Sequence, residues 1–338
     1  MSKKNSRNTS KKNSRNTSKK NSRNTSKKNS RNTSKKNSRN TSKKNLRNTS
    51  KKNLRNTSKK NLRKNIKRLN CSPKKDHDFT CYSSNSLNKI KDLWNKRHPD
   101  SKITTNNLKE IWNALQFNLS NTCDTEKCWL NQKFMENNLN SELKNFTFAP
   151  SAPKTWKKNP NEWLNSVDIN KVMKQYEHVH PSFVFIGPSP IDFNKKKLFG
   201  QCVWNELCNF NLKSYIDRGK DKIGIIFNTD PHYLGGSHWI CMFIDINKKY
   251  IFYFDSNADS VPKQITKFRK EVQKQAKKLN INLKYYKNTT EHQKTNTECG
   301  IYVLFVISKL LENKMTPEMF KARVPDKDME HLRTVFFN

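Results

Sequence analysis

Four side chains with complementary chemistry follow one another in the last third of the chain: His238, Asp255, Gln293 and Cys299. A thiol attacks a carbonyl carbon as its thiolate, so it needs a base, a group that orients the base, and donors for the oxyanion that forms. His238 is the candidate base, Asp255 the orienting carboxylate, and Gln293 with the backbone N–H of Cys299 the oxyanion donors. Each also has an ordinary structural reading. A buried Cys packs as a small apolar residue, a His beside a Trp packs on a strand, Asp-Ser after a strand turns the chain, and a loop Gln faces water. The ordered set is a far narrower pattern than any one member.

The elements that must position these residues can be read from periodicity. Residues 300–311 form an apolar run long enough for a nearly buried helix, which puts Cys299 at its N-terminus, where unpaired N–H groups and the helix dipole favour a thiolate. Gly235 and Gly236 open a strand that begins at Trp239. Asn247 and Lys248 turn the chain back into residues 250–254, making a hairpin that sets His238 near Asp255. Further strands are expected at 183–186, 223–227 and 283–286. Helices are expected at 169–177, capped by Asp168, and at 203–210, 261–279, 317–322 and 326–336. Upstream, helical spacing appears at 86–97, at 107–118 with Asn107 and Glu110 as a capping box, and at 125–135. Helices first and a largely consecutive sheet afterwards argue for an α+β fold.

The spacing of His238-Trp239, Asp255, and Gln293 six residues before Cys299-Gly300 resembles the cysteine peptidases that include adenain and the SUMO-specific proteases. The element Trp163-Leu164-Asn165-Ser166-Val167-Asp168-Ile169-Asn170 is similar to their Trp-Leu-Asn motif. This resemblance implies a papain-like cysteine protease fold with permuted His-Asp-Cys order: a central mixed sheet flanked by helices, occupying residues 150–338. It implies Trp163 and Trp239 as walls of a narrow channel for a Gly-Gly-containing substrate. Ser166 and Glu298 depart from the family's usual Asp at both positions. The helical segment before residue 150, with Cys123-x4-Cys128-Trp129, together with Ile186-Gly187-Pro188 and Pro190-Ile191-Asp192-Phe193, looks more like the thiol proteases of giant nucleocytoplasmic DNA viruses. The implied function is a viral maturation endopeptidase cutting protein precursors after Gly-Gly-like sites. A deconjugating isopeptidase for SUMO- or ubiquitin-like tails, and an inactive nucleic-acid-binding virion protein, are the alternatives.

Composition divides the 338 residues. An octapeptide, SKKNSRNT and then SKKNLRNT, repeats from Ser2 to about residue 65, and such a polar sequence cannot bury enough surface to fold. Residues 1–70 are therefore expected to be a disordered basic tail, and 71–149 a linker and helical segment. The tail holds 27 of the 68 Lys and Arg, and no Asp or Glu precedes Asp76. Such an arm suits nucleic acid or another polyanion through counterion release. With no long apolar segment, neither a membrane span nor a secretory signal is expected. The expectation is a monomer of the virion and host cytoplasm. The eight Cys are expected to be reduced thiols. Cys123 and Cys128 have no second ligand pair at zinc spacing nearby, although Cys202, Cys208, His178 and His180 lie farther on. Buried thiols, no metal and no cofactor are expected.

Overall fold

The computed structural model describes residues 66–73, 76–138 and 141–338; the repeat expected to be a disordered tail lies almost wholly outside them. Five strands form one mixed sheet in chain order: β1 (Phe183–Pro190), β2 (Lys222–Asn228), β3 (Trp239–Asp245), β4 (Tyr250–Phe254) and β5 (Lys284–Lys287). The outer pairs β1–β2 and β4–β5 are parallel, and the inner pairs β2–β3 and β3–β4 are antiparallel. A short turn joins β3 to β4, whereas each parallel pair needs a long crossover, which carries helical segments. The fold is α+β.

Residue alternation along the strands assigns the two faces. Phe185, Ile226, Cys241, Phe243, Phe252 and Phe254 pack against the helices Ser166–Val179, Cys299–Leu311 and Asp326–Phe336. Ile225, Phe227, Met242, Ile244 and Tyr253 point the other way, onto the Lys263–Lys278 helix through Ile265, Phe268, Val272 and Ala276. Helices cover the sheet on both sides, which is why β2 to β4 are buried almost throughout. At the bulge between Ile186 and Ser189, Gly187 has φ +111°, and a Cβ there would stand 2.5 Å from the Ile226 carbonyl oxygen. Only glycine lets β1 approach β2 so closely.

A third cluster lies in the N-terminal segment, where Leu87, Ile90 and Trp94 of the Ser84–Arg97 helix meet Ile111 and Leu115 of the Leu108–Leu119 helix. The buried Glu126 carboxyl is held there by Thr80 Oγ1 at 2.6 Å and by the Trp112 indole N–H. Burial outweighs these bonds and pushes the Glu126 carboxyl up.

Several local expectations are corrected. Asn165, not Asp168, caps the Ser166–Val179 helix; Asp168 occupies the third position and closes a capping box by accepting from the Asn165 N–H. Asn107 does cap its helix, but Glu110 turns to Thr105 Oγ1 instead of completing the box. The expected helix at 125–135 splits into Glu126–Trp129 and a 3-10 turn at Lys133–Met135, and the one at 203–210 shrinks to Asn205–Cys208. Short helices at Ser141–Phe146 and Leu212–Asp217 had no clear periodicity because each offers less than two turns. The cysteines differ most. Cys71–Cys81, Cys123–Cys128 and Cys202–Cys208 are disulfide-bonded, leaving Cys241 and Cys299 free. Thin spacing along the chain hid pairs that fold back within ten residues or fewer.

Candidate active site

The β3–β4 hairpin builds the first half of the site. Its register pairs Cys241 with Phe254, so Asp255 falls opposite Ile240, a diagonal step from His238. His238 Nε2 and Asp255 Oδ1 are 2.7 Å apart, and the Cys299 thiol lies close enough to act on the same imidazole. Burial disfavours the imidazolium, but the hydrogen bonds and negative charge of Asp255 and Cys299 outweigh it, and His238 is pushed up to about 10. Asp255 is fixed in turn: Asn288 accepts from its backbone N–H at 3.0 Å and donates to its carbonyl at 2.7 Å. Asn288 follows β5, so the end of that strand fixes the backbone that carries the carboxylate.

Cys299 is the first residue of the Cys299–Leu311 helix and only 2% exposed. No side chain caps this helix start, so the first-turn N–H groups remain available to a developing negative charge. Gly300 is required by the packing, because a Cβ there would stand 2.8 Å from Leu164 Cβ. The nucleophile helix therefore rests directly on the Trp163-Leu164 segment. Cys241, the other free thiol, lies on the inner face of β3, and burial together with the Asp255 charge pushes it up. That is an inert core thiol by its surroundings.

Gln293 is buried, not solvent-facing. Ser256 Oγ donates to its Oε1 at 2.9 Å, and its Nε2 donates to the Thr295 carbonyl at 2.7 Å. The backbone N–H groups of His292 and Gln293 both donate to the Ser256 carbonyl. The end of β4 thereby holds the loop that leads to Cys299, and one hydrogen of the carboxamide remains uncommitted.

Trp239 and Trp163 line one groove of about 500 Å³, with Pro188, Leu234, Gly236 and Ser237. Trp239 Nε1 donates to the Leu164 carbonyl at 2.9 Å, which ties the two tryptophan segments together. Trp163 is 44% exposed, a large aromatic surface facing solvent. At the rim, Asp192 Oδ2 lies 2.8 Å from His232 Nδ1; burial raises the Asp192 carboxyl, but the His232 contacts outweigh it and hold it below the usual range.

Beside Cys299 lies a pair that motif reasoning missed. Glu298 is 0% exposed, and its carboxylate accepts from Arg333 Nε at 2.8 and 3.1 Å. Removing one partner of a buried ion pair strands the other and costs about 3–5 kcal/mol. The departure from Asp at position 298 thus has a structural partner.

Comparison with known proteins finds relatives among cysteine proteases. The model for the Ulp1 protease family, C-terminal catalytic domain, matches residues 211–337. A protein of Acanthamoeba polyphaga mimivirus, named as a thiol protease, is 32% identical over 217 residues, covering 63% of this chain and 68% of that one. A SUMO-1 cysteine protease of African swine fever virus is 27% identical over 256 residues, covering 70% of this chain and 91% of the relative. The crystal structure of the African swine fever virus protease superposes with a TM-score of 0.58 at 22% identity, over 80% of this chain and 95% of that one.

Proposed function

The chain belongs to the Ulp1 protease family of cysteine peptidases, and on that footing we propose that it is an endopeptidase cutting viral precursor proteins after Gly-Gly-like sites during virion maturation. The 2.7 Å His238–Asp255 bond, with Cys299 on the same imidazole, carries this reading. Cys299 attacks as thiolate, and its electron pair forms the bond to the scissile carbonyl carbon. The free hydrogen of the Gln293 carboxamide and the Cys299 N–H receive the oxyanion. As the C–N bond breaks, His238 gives its proton to the departing amine, leaving an acyl-enzyme. His238 then takes a proton from a water molecule whose oxygen bonds to the thioester carbon, and cleavage of the C–S bond releases the acid and restores the thiolate.

The tryptophan-walled groove supports preference for residues without side chains. Flat walls suit a bare backbone, and on this reading a branched side chain at either position before the cut is disfavoured. Among Gly-Gly-X peptides, replacing either glycine by Leu is expected to lower kcat/KM by roughly 100-fold or more. Equal cleavage of the Leu peptides would remove the channel reading. Running a SUMO conjugate beside the peptides tests the alternative, a deconjugating isopeptidase: cleavage of the conjugate alone would favour it.

The basic repeat extends the proposal to nucleic acid as a partner, because its charge is one-signed and carries no acidic residue. Deleting residues 1–65 is expected to weaken duplex DNA binding and flatten its salt dependence while peptide hydrolysis stays near wild type. Unchanged DNA affinity would exclude the tail as the binding element.

A further inference from the structure

Arg333 lies 34 residues beyond the nucleophile, on the Asp326–Phe336 helix, with its side chain only 5% exposed. Its guanidinium meets two separate chain segments. Nε donates to both oxygens of Glu298, and Nη2 donates to the Thr297 carbonyl at 3.1 Å. Nη1 donates to the carbonyls of Glu162 at 2.8 Å and Pro160 at 3.3 Å. The face of the guanidinium stacks 4.7 Å over the Trp156 ring. The first set of acceptors ends at the residue before Cys299, and the second ends at the residue before Trp163.

We infer that Arg333 is a positioning residue that fixes Cys299 and the Trp163 wall of the groove in one frame. It touches neither substrate nor reacting atoms. A planar fork of fixed N–H directions can span both segments at once, whereas the point charge of a Lys reaches one of them. Trp163 is 44% exposed, and its segment is held after it by the Trp239 bond to the Leu164 carbonyl and before it by Arg333 at the carbonyls of Pro160 and Glu162. Thr297 and Glu298 set the backbone angles with which Cys299 enters its helix, and a displacement of about 1 Å there can cost roughly 100-fold in rate.

The inference rests on Cys299 being the nucleophile, so wild type and Cys299→Ala are assayed alongside, on a Gly-Gly peptide, well below each variant's melting temperature. Arg333→Lys loosens both segments: kcat is expected to fall and KM to rise, lowering kcat/KM by roughly 30- to 100-fold. Glu298→Gln loosens only the nucleophile side, and kcat is expected to fall roughly fivefold at unchanged KM. In combination with Trp163→Ala, Arg333→Lys is expected to raise KM by less than the product of the single effects. Earlier melting with wild-type kcat and KM in both variants would make Arg333 a merely stabilising residue and overturn the inference. If Arg333→Lys does not fold, the kcat of Glu298→Gln decides alone. Cleavage that survives Cys299→Ala would instead remove the nucleophile assignment itself.

Discussion

Cys299→Ala is expected to abolish peptide hydrolysis, lowering kcat/KM by at least about 10⁴-fold while the melting temperature stays near wild type. The loss follows from the position of the thiol, which shares an imidazole with Asp255 and opens a helix whose first N–H groups are uncapped. No other free thiol can substitute. Cys241→Ala is expected to do the opposite, keeping activity within a few-fold while costing about 1 kcal/mol of stability, because that side chain only fills the face of β3 beneath the nucleophile helix. Kinetics and thermal melts of the two variants separate the roles. A Cys299→Ala protein that still cleaves, or a Cys241→Ala protein that does not, would reverse the assignment.

Asp255→Asn is expected to lower kcat by about 100-fold and to move the alkaline limb of the pH–rate profile to lower pH. The sign follows from the elevated imidazole. In the reactive ion pair His238 must be protonated, so activity is present below its pKa and lost as pH rises through about 10. Burial opposes that charge, and Asp255 is among the groups that overcome it. Replacing the carboxylate with an amide leaves burial in place and removes a negative partner, so the imidazole gives up its proton at lower pH. A profile with its alkaline limb unmoved would show that Asp255 does not set the charge of the base.

Much of the site was legible because its members stand at element ends. His238 precedes a strand, Asp255 follows the next one, and Cys299 heads a helix, so hairpin geometry alone brings the first two together. The sheet was legible for a related reason: β2, β3 and β4 are covered on both faces, and their unbroken apolar runs stand out from the polar chain around them. Asn165 and Asp168 show how a correct element can carry a wrong boundary. Both suit a helix start, and the three-residue spacing that makes a capping box favours Asn165 as the cap.

What escaped depends on contacts between distant segments. Asn288 clamps Asp255 from 33 positions away, and Arg333 reaches Glu298 across 35. An Arg at helical spacing looks like a solvated surface charge until the loop it serves is seen folded around it. The three disulfides join near neighbours, yet only the backbone course of each loop brings the sulfurs together.

The nucleophile assignment is tested most directly by mapping the residue modified by a Gly-Gly vinyl-sulfone peptide. A thiolate adds across the vinyl carbons and forms a stable thioether, so the labelled peptide identifies the attacking sulfur. The predicted result is one adduct, on Cys299, lost in His238→Ala. An adduct on Cys241 or on no free cysteine would contradict the site built from His238, Asp255 and Cys299.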